Sequence, residues 1–285
     1  MNMKILKKIY LINVLLLACN VYANNYQVVI ESDTKTLIKQ IDKNAKKNEI
    51  YKQNLGDIIQ WSARQLVNEP YVGKLLDQHE PEYLYISVTN TDCMLFIEEV
   101  LALGILIKHD DLTLNNYVNK IKEERYHGEI TFCNRNHYFK DWAIENIKKG
   151  LVVDIAYLLS KQYLPYAANV MSRSLEKQHK HLADIECIKQ REDYINNEQL
   201  GFIPIKDVEK NLKNIKSGDI IGIVRTPNNK ADSIHHLGIA NITKNGVGMI
   251  HASSDKKKVI VEPTLMGYLN RFQDMQGIIL LRAKN

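Results

Sequence analysis

Cysteine is scarce in this chain, with four residues among 285, at positions 19, 93, 133 and 187. Their spacings contain no zinc-knuckle pair, which excludes a cysteine-built zinc module. A surplus of one charge is also missing. The 38 Lys and Arg stand against 33 Asp and Glu, interspersed as on an ordinary solvated surface, so nothing points to a nucleic-acid partner. Beyond the first twenty-odd residues no apolar run is long enough to span a membrane. Internal repeats and low-complexity segments are absent.

What is present begins with a leader. Lys4, Lys7 and Lys8 precede an apolar run from Ile9 to Ala18, and Val21-Tyr22-Ala23 offers a signal-peptidase site. Residues 1–23 therefore read as a signal peptide, and 24–285 as one domain. Losing the leader removes three lysines and no acids, so the net charge falls from +5 to +2. Leu16-Leu17-Ala18-Cys19 supports a second reading, a lipoprotein box with a lipid anchor at Cys19. Leu17 is large for that position, which favours cleavage after Ala23. Without Cys19 three cysteines remain, and an odd count leaves at least one thiol unpaired. Whether Cys133 and Cys187 pair is left open.

Residues 34–47 and 54–67 carry helical periodicity, and 81–90 is extended. From Thr91 to Ile107 the chain is apolar on most sides, the pattern of a helix in the middle of a core. Residues 112–125 and 139–148 read as amphipathic surface helices, and 167–190 as an exposed helical excursion containing His179-Lys180-His181. The last eighty residues turn to short β-rich runs separated by turn residues. Helices first and a sheet last is an α+β arrangement.

Thr91-Asp92 caps the buried helix and puts Cys93 in its first turn. Free N–H groups and the helix dipole there favour a thiolate and can receive an oxyanion. On position alone a plain buried cysteine fits equally well. A nucleophilic cysteine needs a base, and the base an orienting group. His236 and His251 lie on two runs joined by Lys244-Asn-Gly246, a hairpin that sets their rings side by side. His235 points to the opposite face. A metal site at His235, His236 and His251 is disfavoured because no acid accompanies them; no cofactor is called for. Arg135, His137, Tyr138 and Trp142, within eight residues, suit a sugar platform. Tyr138 and Trp142, four apart, also fit the core stripe of a helix, which is the plainer reading of the residues alone.

Pro70-Tyr71-Val72-Gly73, Asp92-Cys93, Gly218-Asp219-Ile220, His236-Leu237-Gly238-Ile239 and His251-Ala252-Ser253 occur in the order found in NlpC-type cell-wall cysteine peptidases. Glu82 to Leu103, Asn134 to Trp142 and Gly150 to Asp154 more narrowly resemble the N-acetylmuramoyl-L-alanine amidase-like branch. The resemblance implies a papain-like core: N-terminal helices, the nucleophile on a central helix, an antiparallel C-terminal sheet, and a large helical insertion at about residues 108–215. It implies a Cys93–His236–His251 triad, with Tyr71 and Asp92 beside the thiol. It also implies that Arg135, His137, Tyr138 and Ser253 contact substrate and Trp142 supports them. One departure is Leu95, where the family usually has Thr.

The implied activity is cleavage of the amide between N-acetylmuramic acid, in its 1,6-anhydro form, and L-Ala of the stem peptide. The partners are then muropeptides and the location the periplasm or outside. A γ-D-Glu–diaminopimelate endopeptidase is the nearest enzymatic alternative, and a non-catalytic wall-binding module the alternative of another class. The leader generates a direct test. N-terminal sequencing of mature protein from its host should begin at Asn24; a modified Cys19 would establish the lipoprotein, and a retained Met1 would overturn export.

Overall fold

The computed structural model describes residues 27–77, 81–178, 182–227 and 232–284. The leader, Cys19 and His179-Lys180-His181 lie outside the described residues.

Strand β1 (Val28–Ile30) leads into helix α1 (Thr34–Lys47), which buries Ile38, Ile41 and Ala45 on one face. Helix α2 (Leu55–Gln65) buries Ile58, Ile59 and Ala63. Strand β2 (Leu84–Ile86) pairs in parallel with β1, and helix α3 (Cys93–Lys108) follows. Every residue of α3 from Leu95 to Ile107 is buried, as its all-round apolar sequence requires. Gly104 admits α2: a Cβ there would stand 2.4 Å from Ile59 Cγ1. Glu98 is tolerated in this interior because Arg125 meets it at 2.7 Å.

Helices α4 (Leu114–Arg125) and α5 (Phe139–Lys148) come next, then strand β3 (Val152–Asp154) and helix α6 (Ile155–Ser160). Helices α7 (Val170–Lys177) and α8 (Leu182–Asn197) precede strand β4 (Ile203–Pro204) and helix α9 (Ile205–Asn211). The last part supplies β5 (Ile220–Arg225), β6 (Ile234–Thr243), β7 (Gly246–Ser253) and β8 (Lys258–Glu262). Helix α10 (Leu265–Leu269) and strand β9 (Met275–Ala283) close the order.

The sheet runs β3-β9-β5-β6-β7-β8, with β4 also on β9, and its pairs are antiparallel. Alternation along each strand sorts the side chains onto two faces. Ile220, Val224, Leu237, Ile239 and Ile250 join the core of α1, α2 and α3. Ile221, Ile223, Ala240 and Met249 pack with α6, α9 and α10. Gly218 has φ +75° and lies so close to Gly56 that a Cβ would stand 2.2 Å from its carbonyl oxygen. Next to it, buried Asp219 accepts two 2.7 Å hydrogen bonds from Arg282. The Gly-Asp pair thus braces the start of β5.

Three expectations about the insertion are revised. It is not wholly helical, because β3 and β4 join the main sheet through β9. Helix α5 is not a surface helix: Phe139, Asp141, Trp142, Ala143 and Ile144 are all buried. The 167–190 segment is no simple excursion, since Leu175, Ile185 and Ile188 form a small core of their own. The pairing question is answered, as Cys133 and Cys187 form a disulfide. The bond closes a loop of 54 residues, which chain entropy values at up to about 4 kcal/mol. Reduction, or Cys133→Ser with Cys187→Ser, should therefore lower the Tm by several degrees. An unchanged Tm would show that α8 is held by packing alone.

Candidate active site

Asp92 has extended backbone and caps α3: its Oδ1 accepts from the N–H groups of Met94 and Leu95, at 2.9 Å each. The local geometry follows the sequence, with one consequence it did not suggest. Two of the N–H groups expected to be free at this helix start are already taken. The N–H of Cys93 itself is not among those the cap uses. Leu95, the departure from the usual Thr, is buried and contributes only its backbone to the cap.

Cys93 is half-buried and is the free cysteine among the described residues. Opposing influences act on its thiol. Burial pushes it up to about 12, Asp92 adds to the rise, and the N–H groups of Cys93, Leu237 and Met94 oppose it. Burial beside a carboxylate thus acts on the thiol against the helix-start N–H groups that favour a thiolate. The opposing Leu237 N–H also locates the sulfur, next to the residue that follows His236.

The hairpin places the histidines as expected. His236 Nε2 and His251 Nδ1 are 2.6 Å apart, with the rings near perpendicular at 88°. His236 thus has one nitrogen committed to His251, leaving Nδ1 for other chemistry. Burial lowers His236 to about 3, aided by His251 and His235. Burial likewise lowers His251 to about 4, against the pull of Glu262. His235 is exposed on the strand beside them. Among the described residues no group of three or more His, Cys, Asp or Glu is placed to hold a metal ion.

Tyr71 packs against the same core as Cys93, and its hydroxyl is raised to about 12 by burial, then by Cys93 and Asp92. An isolated bridge from Tyr71 to Thr91 ties it to the start of α3. Tyr268, on α10, was not anticipated. It stacks 6.0 Å from the His236 ring and meets the His251 ring edge-on at 5.3 Å. Glu262 and Arg271 were missed as well. The alternation in Lys258-Val-Ile-Val-Glu262 was a usable signal, since register puts Glu262 on the His251 face. A cleft of about 380 Å³ opens beside the two histidines. Arg225, His235, Ser253, Ser254, Tyr268 and Phe272 are among its walls.

Ser253 is thus at the cleft, but the insertion residues are not. Arg135 is buried and donates to Leu76 O at 2.6 Å, with Asp77 at 3.3 Å and Glu82 at 3.7 Å. His137 Nε2 lies 2.7 Å from Phe132 O. The Tyr138 hydroxyl donates to Glu192 and accepts from Met171 N. Trp142 is fully buried and stacks on Phe139. The core-stripe reading of Tyr138 and Trp142 describes this arrangement, and the sugar platform does not. Arg135 and Trp142 hold the insertion to the body, whereas His137 and Tyr138 bond within the insertion.

The family model for N-acetylmuramoyl-L-alanine amidase-like proteins matches residues 62–278. The chain belongs to that family. A solved N-acetylmuramoyl-L-alanine amidase from Bacteroides uniformis is similar to this amidase-like chain at 27% identity and a TM-score of 0.74, covering 81% of this chain and 99% of its own. A Legionella pneumophila protein shares the fold at 21% identity and a TM-score of 0.66, covering 88% and 97%. No curated protein matches the chain. Among the described residues no helix is long and apolar enough to cross a membrane.

The histidines generate a pH prediction. Both are held below their unfolded value near 6.5, so on acidification the unfolded chain takes up these protons first. Their contribution to stability is complete above about pH 6.5 and is withdrawn as pH falls toward 4. The His236 and His251 ring resonances should not titrate between about pH 8 and 5. Stability of a His236→Phe, His251→Phe variant should fall less steeply over that range than wild type. A ring that titrates near 6.5 would contradict the burial argument.

Proposed function

We propose that the protein is an exported cysteine amidase with a papain-like core. It opens the amide between the lactyl group of N-acetylmuramic acid and L-Ala of the stem peptide. The observation that carries this reading is a free thiol at the start of a buried helix, against the residue that follows a histidine which a second histidine meets at 2.6 Å, in an amidase-like chain.

Cys93 and His236 rest as neutral thiol and neutral imidazole, because burial disfavours either charge alone. Transfer of the thiol proton to Nδ1 of His236 forms both charges together, each compensating the other, as Sγ attacks the carbonyl carbon. His251 holds the far nitrogen of the base and spreads the imidazolium charge. The developing oxyanion has two donors within its neighbourhood, the Cys93 N–H and the Tyr71 hydroxyl, which stays protonated at neutral pH. Collapse breaks the C–N bond, and His236 returns the proton to the amine of L-Ala. Water then attacks the thioester, with His236 as its base, and frees the lactyl carboxylate. By family resemblance the substrates are small wall fragments with a 1,6-anhydro end, met in the periplasm or outside the cell.

One observation keeps the endopeptidase in play. None of Arg135, His137, Tyr138 and Trp142 lines the cleft beside the two histidines, so these four side chains lend no support to a sugar-binding side that would distinguish an amidase. Choice of bond therefore rests on the family and its amidase relative. The wall-binding alternative is disfavoured because Cys93, His236 and His251 are all retained.

Mass spectrometry of a digested disaccharide–tetrapeptide separates the three. The expected products are free disaccharide and an intact stem beginning with L-Ala, abolished by Cys93→Ala and unaffected by EDTA. Disaccharide still carrying L-Ala-D-Glu would establish the endopeptidase, and no cleavage the binding module. Trp142→Ala should cost about 3–5 kcal/mol of stability while leaving the KM of the folded fraction unchanged; a raised KM with normal stability would restore the sugar platform.

A further inference from the structure

The line of polar contacts does not stop at His251. Glu262 ends β8 and Arg271 follows α10, and the reaction steps above use neither. His251 Nε2 is buried without a hydrogen-bond partner, and the nearest charge to it is Glu262 Oε1 at 3.7 Å. Both Glu262 oxygens accept from Arg271, at 2.8 and 2.6 Å. Arg271 also lies 5.5 Å over the Tyr268 ring, which packs on both imidazoles.

We propose that Glu262, clamped by Arg271, is a positioning residue that sets the tautomers of His251 and His236 and so leaves His236 Nδ1 bare to receive the thiol proton. The inference rests on the cysteine-amidase reading for its catalytic meaning, but its structural content stands separately.

A neutral imidazole has one N–H and one lone pair, and a 2.6 Å contact between two ring nitrogens holds a single proton between them. Two arrangements are consistent with that. In one, His236 donates from Nε2, His251 accepts at Nδ1, and His251 carries its proton on Nε2. In the other, His251 donates from Nδ1, its bare Nε2 faces outward, and the His236 proton sits on Nδ1. Only the first gives His236 a lone pair for Cys93. An ionised carboxylate is an acceptor with no proton to offer, so facing Glu262 the second arrangement sets a lone pair against a negative charge in a buried place. The guanidinium of Arg271 holds the Glu262 carboxyl below the usual carboxylate range, keeping it ionised. The preference therefore passes from Arg271 through Glu262 and His251 to the atom that acts as base. A ligand-orienting partner of this kind changes activity through geometry and protonation, without touching substrate.

Long-range ¹H–¹⁵N correlation spectra of the mature protein distinguish the two tautomers directly. Wild type should show His236 protonated on Nε2. Glu262→Gln, whose amide can face Nε2 with either a donor or an acceptor, should give a mixture. Its kcat should fall roughly 10- to 100-fold with KM held within about twofold, and Glu262→Asp should recover part of the loss. An unchanged tautomer in Glu262→Gln overturns the proposal, whether kcat is normal or reduced. Should that variant not fold, the wild-type spectrum decides: His236 protonated on Nδ1 overturns it. The readout needs no turnover, so an inactive protein with the Nε2 tautomer refutes the amidase and keeps this inference. An active protein with the Nδ1 tautomer does the reverse.

Discussion

The candidate site depends on one packing constraint, the burial of α3 between α2 and the face of the sheet formed by β5, β6 and β7. A helix apolar on nearly every side has no stable place except an interior, and Gly104 lets Ile59 approach its backbone closely enough to make that interior dense. Once α3 is seated, its first residue has no freedom. Cys93 stands against Leu237, and the strand that carries Leu237 carries His236 one residue earlier. The arrangement of the candidate site is thus a by-product of core packing, with the thiol placed by a helix axis and the histidine by strand register.

Burial has a chemical cost that shapes the rest of the site. It raises the thiol, lowers both imidazoles and raises the Tyr71 and Tyr268 hydroxyls. A site assembled this way favours a neutral thiol and neutral imidazoles, with the ion pair of Glu262 and Arg271 at the margin. In the proposed mechanism both charges form together, when the proton moves from thiol to imidazole. Asp92 reinforces this by holding the helix start while placing negative charge beside the sulfur. The cap that fixes the thiol thus also disfavours its ionisation.

The sequence made some of this legible and obscured the rest for identifiable reasons. The boundaries of α1, the all-round burial of α3 and the pairing of His236 with His251 follow from periodicity, capping and a turn, all local signals. The family resemblance supplied the order of the motifs, and the family match over residues 62–278 agrees with it. The insertion was misjudged because its partners are distant in sequence. Tyr138 finds Glu192, Asp141 finds Arg191, and Cys133 finds Cys187 across about fifty residues. No window of helical length contains both halves of those contacts. Arg135 reads as a substrate contact for the same reason, since its acceptor at Leu76 lies 59 residues away. Tyr268 and Arg271 are hidden because the short helix α10 carries no signal of what it covers, whereas Glu262 is legible in the alternation of β8.

The central claim is that Cys93 forms the bond to the acyl half of the substrate. Acid-quenched single-turnover digestion, followed by peptide mapping, measures this directly. The account predicts a transient thioester on the Cys93 peptide whose added mass is that of the disaccharide's lactyl acyl group. Product formation with no adduct on Cys93, or an adduct made of L-Ala-D-Glu, would contradict it.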